Sequence, residues 1–152
     1  MDIRKGLITH LEALVQFNQA MALETEDKPL SEAVITPGVQ ALLEDVSRGC
    51  YYVAFESEAA DADIAGALMV TLEWSDWRNA YFWWIQSVYV RPAWRRKGVY
   101  KSLHDHVRNL AREAGNVCGI RLYVERDNKG AQSTYEQLGM AETHYLMYEE
   151  SL

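Results

Sequence analysis

The segment from residue 81 to residue 125 constrains the fold of this chain more than any other. Tyr81–Val90 is rich in Trp, Tyr and Val, which predicts a long strand. After Gly98, apolar residues recur every three or four positions over Val99–Ala114, which predicts an amphipathic helix that Gly115 ends. Ile120–Val124 alternates apolar and polar residues, as a half-buried strand does. Strand, helix and strand in this order predict a parallel crossover.

The rest of the chain adds an antiparallel part to this crossover. Two β-rich runs joined by the turn-like stretch Trp74–Asn79 predict a hairpin. The chain is predicted to form one domain over residues 1–152, with an α/β (α+β mixed sheet) fold and flanking helices. The further predicted elements are strands at Ile3–Arg4, Cys50–Phe55, Ile64–Leu72 and Thr143–Tyr148, and helices at Ile8–Ala22, Pro37–Val46 and Ala131–Leu138.

Composition excludes several classes of protein. The net charge of −7 argues against a nucleic-acid partner, because phosphate neutralisation needs surplus Lys and Arg. No apolar run is long enough for a membrane helix, and the N-terminus lacks the apolar core of a secretion signal, so no membrane is expected and the cytoplasm is the default compartment. Cys50 and Cys118 are predicted to be buried free thiols, and no metal site is expected because neither has histidine neighbours at ligand spacing.

A basic loop between the predicted strand and helix carries the first chemical signal. Five basic residues and no acidic one fall between Arg91 and Lys101, in a chain that is acidic overall. The first amides of a helix lack internal acceptors and the helix dipole is positive there, so such a loop can bind an anion. Gly98 would let the anion approach the backbone closely. A solvated basic turn is the plainer alternative.

At this loop the chain resembles the GNAT superfamily of acetyl-CoA-dependent N-acetyltransferases. The superfamily signature, Arg/Gln-x-x-Gly-x-Gly/Ala after a strand, is similar to the stretch from Arg95 to Tyr100, with Tyr100 in place of the usual small residue. The resemblance implies acetyl-CoA as co-substrate, and a GNAT-like fold. It implies that the pyrophosphate lies on the backbone of Arg95, Arg96, Lys97, Gly98, Val99 and Tyr100, and the pantetheine along Val88, Tyr89 and Val90.

A second block strengthens the resemblance. The stretch from Asn128 to Met140 is similar to the superfamily block Asn-x-x-Ala-x-x-x-Tyr-x-x-x-Gly-Phe. Ala131 matches the alanine of the block, and Met140 stands in place of its Phe. The resemblance implies that Asn128 contacts the pantetheine and that Tyr135 protonates the departing thiolate. A core tyrosine on a helix face is the alternative for Tyr135.

Acetyl transfer to an amine also needs a polarised carbonyl and loss of an amine proton. A backbone N–H near Tyr89 or Val90 would polarise the thioester carbonyl. Glu73 is the first candidate for the base, Glu24 and Glu26 are others, and a water chain could replace a dedicated residue. Each of these carboxylates could equally be a solvated surface group.

The prediction of the acceptor site depends on four tryptophans and a few polar residues. Trp74, Trp77, Trp83 and Trp84 form an aromatic group that suits either core packing and a homodimer surface or a wall around a cationic amine. The Trp74–Trp77 loop resembles that of the polyamine acetyltransferases, but Gln86 stands where they carry Glu. We expect a small-molecule amine acceptor, with Glu24, Trp74, Trp84 and Gln86 as substrate-binding candidates. Acetylation of a protein lysine or N-terminus, and a non-catalytic acyl-CoA-binding regulatory domain, are the alternatives.

Overall fold

The structure of the chain is a computed structural model that describes residues 1–59 and 63–152. Contacts within the chain divide it into two units, Met1–Leu122 and Tyr123–Leu152. The first unit holds the sheet and three long helices, and the second holds one short helix. The predicted single domain stays a prediction, and the two units are described separately.

The helices and strands follow the sequence pattern closely in kind and order. Two short 3-10 turns, Ile8–His10 and Pro92–Trp94, precede α1 and α3. The first unit contains β1 (Asp2–Lys5), α1 (Leu11–Glu26), α2 (Glu32–Glu44), β2 (Cys50–Phe55), β3 (Ile64–Ser75), β4 (Ala80–Val90), α3 (Val99–Ala114) and β5 (Val117–Arg121), and the second unit contains α4 (Lys129–Gln137).

The five strands form one mixed sheet in sequence order, β1-β2-β3-β4-β5. The first four pair antiparallel, and β5 pairs parallel to β4 after the α3 crossover. The predicted fold class and crossover are therefore confirmed. Parallel neighbours need a long connection, which α3 supplies, whereas the β3–β4 hairpin needs only a short turn.

Each face of the sheet is covered by helices that bury a separate apolar cluster. On one face, Leu14 and Phe17 of α1 and Val39 of α2 pack with Val53 of β2. On the other face, the α3 stripe packs against Leu68 of β3 and against Ile85, Val88 and Val90 of β4. Leu14 in the first cluster and Leu68 in the second are fully buried, so each face of the sheet has a core that excludes solvent.

Among the residues that the structure describes, strand β4 has two neighbouring strands along its first half and only one along its second half. Its pairing with β3 shifts between Met69 and Val70, so that Gln86 is the extra residue of a β-bulge. On its other side, β4 pairs with β5 only from Tyr81 to Trp84. Beyond Trp84 the two parallel strands separate, and the second half of β4 has an open edge.

Several predicted boundaries were wrong, among them those of α1, which runs from Leu11 to Glu26 and not from Ile8 to Ala22. Helix α2 begins at Glu32 rather than Pro37, because the Ser31 carbonyl accepts from the Val34 and Ile35 amides, both at 2.9 Å, and places Pro37 inside the helix. Strand β3 continues through Ser75, so the hairpin turn is shorter than predicted. Strand β5 starts at Val117 and ends at Arg121, because pairing begins at once when the Tyr81 N–H donates to the Asn116 carbonyl at 2.9 Å.

The predicted last strand, Thr143–Tyr148, is absent from the described part of the chain. No strand pairs with this stretch there, and the side chains of Tyr145 and Tyr148 are exposed. Apolar composition predicted a strand, but a strand forms only where its backbone groups find a partner. The two cysteines are free, as predicted, but Cys118 is exposed and Cys50 is half-buried.

Candidate functional site

The loop before α3 directs several backbone amides to one place. Arg96 and Gly98 adopt left-handed conformations, with φ of 62° and 78°. The first bond of α3 that involves the cap is donated by the Ser102 amide to the Gly98 carbonyl at 2.9 Å. Among the described residues, no protein acceptor pairs with the amides from Arg96 to Val99. These amides and the positive end of the helix dipole make an anion site.

The basic side chains of this loop point in different directions. The Arg95 guanidinium donates to the Glu24 carboxylate of α1 and, through Nε, to the Val90 carbonyl at 3.0 Å. The Lys97 ammonium lies 4.8 Å from the centre of the Trp94 ring. Within the described residues no ion pair involves Arg96, which leaves its charge beside the amides for an incoming anion.

The open edge of β4 presents the backbone of two valines. The Arg91 amide donates to the Ala65 carbonyl of β3 at 2.9 Å. Because backbone groups alternate along a strand, the Tyr89 amide also points towards β3, and those of Val88 and Val90 point towards the open edge. Of the two residues predicted to polarise a carbonyl, Val90 is therefore oriented for it and Tyr89 is not.

Glu24 joins α1 to both β4 and the basic loop. The Tyr89 hydroxyl donates to Glu24 Oε1 at 3.0 Å, and Arg95 donates to Oε2. Burial is the largest cause of a raised Tyr89 pKa, and the Glu24 carboxylate adds to it, so the phenol stays neutral. The carboxylate is about two-fifths exposed and can still meet a solute.

A second polar cluster lies at the other end of the β3–β4 hairpin. Glu73 Oε2 accepts from the Trp84 indole N–H and from the Arg121 guanidinium, both at 2.9 Å. The Arg121 guanidinium lies 3.5 Å from the centre of the Phe82 ring. The Gln86 amide donates to the Thr71 hydroxyl at 2.8 Å.

The structure therefore brings Glu73, Trp84 and Gln86 to one face of the sheet. Trp74 follows Glu73 directly on β3, so its side chain points to the opposite face, where it packs edge-on against Tyr81. Trp74 and Trp84 do not form one wall. Trp77 is almost fully exposed in the hairpin turn.

A small cavity between α1 and β4 contains three polar residues that the sequence analysis missed. The Asn18 amide nitrogen donates to the Leu14 carbonyl at 2.8 Å and to the Tyr51 hydroxyl at 3.1 Å. Tyr51 also bonds to Ser87. One signal was available in the sequence, because Asn18 is a polar residue on the apolar face of α1, one turn after Leu14.

The second unit contains the other predicted motif. Asn128 caps α4, since its side-chain oxygen accepts from the Ala131 amide at 3.0 Å. Burial raises the pKa of the Tyr135 phenol, so this side chain stays protonated through neutral and mildly alkaline pH. The block is thus a capped helix start with a protonated tyrosine about two turns further on.

Among the described residues, no group of three or more His, Cys, Asp or Glu side chains is placed to hold a metal ion. In the same part of the chain, no helix is both long and apolar enough to cross a membrane.

The mixed sheet with its separating parallel strands and the basic helix start together have the architecture of one class of acyltransferase. The Acetyltransferase (GNAT) family model matches residues 12–140, and the chain belongs to that family. It is therefore an acyltransferase enzyme, as the resemblance implied. A comparison with curated protein sequences gave no match.

Solved structures share the whole fold. A possible acetyltransferase from Clostridium difficile 630 is 42% identical, with a TM-score of 0.91 and coverage of 99% of this chain and 97% of that one. The aminoglycoside N-acetyltransferase AAC(6')-Iy, in complex with CoA, is 18% identical with a TM-score of 0.73 and coverage of 99% of both chains. The aminoglycoside acetyltransferase meta-AAC0020 from an uncultured soil metagenomic sample, in complex with sisomicin, is 16% identical with a TM-score of 0.79 and coverage of 99% and 95%.

Proposed function

We propose that this enzyme transfers an acetyl group from acetyl-CoA directly to a primary amine of a small molecule. The observation that carries the proposal is the open edge of β4, which ends in the amide-rich start of α3 within one unit. A strand edge can bind an extended amide chain, and a helix start can bind a pyrophosphate. Acetyl-CoA contains both groups in that order.

The donor is assigned to residues by these two features. Its pyrophosphate binds the amides from Arg96 to Val99, with Arg96 adding charge beside them and Arg95 and Lys97 adding charge further away. Its pantetheine pairs with the outward backbone groups of Val88 and Val90. Asn128, Ala131 and Tyr100 remain donor-binding proposals that rest on the family motifs.

The proposed reaction forms one bond and breaks one. The amine nitrogen attacks the thioester carbon, the C–N bond forms, and the C–S bond breaks. The outward N–H of Val88 or Val90 stabilises the oxygen that gains charge. Tyr135 gives its proton to the departing thiolate and recovers one from water, and the amine proton passes to solvent or to a base.

The position of Glu73 limits how it can act as that base. Glu73 lies opposite Phe82, six residues before Val88, which is roughly 20 Å along the strand at the usual rise per residue. Direct proton transfer requires hydrogen-bonding distance. We therefore propose that the amine proton leaves through water, with Glu73 as a candidate end of that path.

The acceptor is proposed to approach the face that carries Glu24 and Gln86. The Glu24 carboxylate supplies negative charge near Tyr89, and Trp84 with Gln86 offers an aromatic and a polar surface further along β4. Trp74 is on the other face and belongs to a different surface. The aminoglycoside acetyltransferases with the same fold act on small amines by their names, which supports this acceptor class.

Two further proposals concern the compartment and the assembly of the enzyme. Free thiols at Cys50 and Cys118 suit the reducing cytoplasm. The exposed Trp74 and Trp77 suit a homodimer surface.

Donor binding is tested by calorimetric titration with acetyl-CoA, with CoA and ATP for comparison. The reaction is tested by measuring thiol release with a panel of primary amines. Acetyl-CoA binding at micromolar concentration and amine-dependent thiol release are expected. Binding without release for every amine would favour a protein acceptor or a regulatory acyl-CoA-binding role. No binding of any acyl-CoA would overturn the proposal.

A further inference from the structure

The cavity between α1 and β4 has apolar walls and a polar floor. Leu14, Phe17 and Met21 of α1 line it together with Ala67 of β3, and Asn18, Tyr51 and Ser87 supply its polar atoms. The cavity and the open solvent at its mouth together take up about 200 Å³. Its enclosed part has room for roughly one water-sized group.

The hydrogen bonds of the three polar residues run in a fixed direction. The Leu14 carbonyl can only accept, so the atom that contacts it must be the Asn18 amide nitrogen. The same nitrogen donates to the Tyr51 hydroxyl at 3.1 Å, and Ser87 also bonds to this hydroxyl in the sense that lowers the Tyr51 pKa, which is donation by Ser87. Ser87 Oγ thus donates to Tyr51 and keeps its two lone pairs to accept from an amine N–H in the cavity.

Ser87 lies next to the place where transfer is proposed to occur. It follows the bulged residue Gln86 and precedes Val88, whose N–H points to the open edge of β4. The bulge gives Gln86 and Ser87 the same side of the strand, so the cavity opens beside the polar face described above.

We infer that this cavity binds the reactive nitrogen of the acceptor, with Ser87 as its hydrogen-bond partner and Tyr51 as a positioning residue. The water-sized enclosed part fits the amine nitrogen alone, and the apolar side chains at its opening fit an unbranched CH2 beside that nitrogen and disfavour a branched carbon. Glu24, bonded to Tyr89 on the cavity wall, attracts the charged amine from solvent. Burial raises the pKa of Tyr51, although the hydrogen bonds from Asn18 and Ser87 lower it, so the hydroxyl stays neutral. This inference rests on the proposed function.

The test compares Ser87→Ala and Tyr51→Phe with Tyr52→Phe, which removes a hydroxyl from the other face of the same strand. The amine probes are two matched pairs, n-butylamine with sec-butylamine and benzylamine with 1-phenylethylamine. Thiol release gives kcat and KM, and calorimetry gives the affinity for acetyl-CoA and for each amine on the enzyme–CoA complex. Thermal unfolding shows whether each variant is folded.

In wild type, kcat/KM for the unbranched amine of each pair should be at least about tenfold higher than for the branched amine. A tenfold factor corresponds to the loss of one contact of about 1.4 kcal/mol. Ser87→Ala and Tyr51→Phe should each raise the amine KM by about tenfold, with acetyl-CoA affinity unchanged, because a buried hydroxyl partner is lost. Tyr52→Phe should resemble wild type.

Each other outcome has one meaning. Turnover that is equal in all variants, or equal for branched and unbranched amines, overturns the inference and leaves the proposed function standing. Amine binding that depends on Ser87, with no turnover, overturns the proposed function and leaves this site standing. Neither binding nor turnover of any amine overturns both.

Discussion

The Arg95 guanidinium donates to the Glu24 carboxylate, which joins the basic loop before α3 to the last turns of α1. This contact crosses from the proposed donor site to the proposed acceptor site. While it is formed, it lowers the charge that each residue can offer to its own ligand. The pair is a point at which binding of donor and acceptor can influence each other.

Glu24→Gln is expected to strengthen acetyl-CoA binding and to weaken amine binding. Removing the carboxylate releases Arg95 towards the pyrophosphate and removes the negative charge near Tyr89. We expect a change of about threefold in each affinity, as for an exposed ion pair. Calorimetry at low and high salt measures both. Glu26→Gln, two residues further on, is the matched control, and an equal effect there would contradict a specific role of Glu24.

Arg95→Ala combined with Arg96→Ala is expected to weaken acetyl-CoA binding by about tenfold or more, because two charges beside the phosphate site are lost. The loss should shrink at high salt. Arg48→Ala with Arg112→Ala removes the same charge from other surfaces and should leave the affinity unchanged. Equal affinity in the two double variants would remove the basic loop from the donor site.

Tyr135→Phe is expected to lower kcat by about a hundredfold, the usual contribution of a general acid, with acetyl-CoA affinity nearly unchanged. Burial raises the pKa of this phenol above its ordinary value of about 10, and the acid acts only when protonated. Wild-type kcat should therefore show no alkaline fall from this group below about pH 10. Full turnover by the variant would exclude Tyr135 as the acid.

Glu73→Gln tests the proton path. If the carboxylate receives the amine proton through water, kcat should fall by about tenfold or more. Glutamine can still accept from the Trp84 indole, so tryptophan fluorescence should change little. Glu113→Gln, on the exposed side of α3, is the control. An unchanged kcat would assign the proton to solvent alone.

Gly98→Ala and Gly38→Ala form a matched pair in which only the backbone conformation differs. Neither added Cβ meets an atom within 4 Å, but Gly98 has a φ of +78° and Gly38 lies inside α2. Alanine at position 98 should destabilise the fold by about 1 kcal/mol, and at position 38 it should stabilise by about 0.5 kcal/mol. Denaturant unfolding measures both, and equal effects would contradict the conformational explanation.

Periodicity predicted the sheet, the α3 crossover and α4, because amphipathic patterns are set locally. It did not predict that the Ser31 carbonyl starts α2 five residues before Pro37, since a cap depends on backbone geometry. It also predicted a strand at Thr143–Tyr148, because composition does not reveal whether a partner strand exists.

The candidate site also has parts that the sequence predicted and parts that it did not. The basic loop was visible in the sequence because charge and glycine are local signals. The bulge at Gln86, the ion pair of Arg95 with Glu24 and the chain from Asn18 to Ser87 were not, because each joins residues far apart in the sequence. Which face Trp74 occupies depended on the register of a strand longer than predicted.

The separation of β4 from β5 also has a cost for the free enzyme. An unpaired strand edge is a template for another polypeptide, and exposed edges lead to aggregation unless charge or a ligand protects them. Here the arginines and lysine that follow Val90 stand at the end of that edge and repel a second copy of themselves. The enzyme without its donor should therefore be the form most prone to self-association, and CoA in the buffer should keep it dispersed.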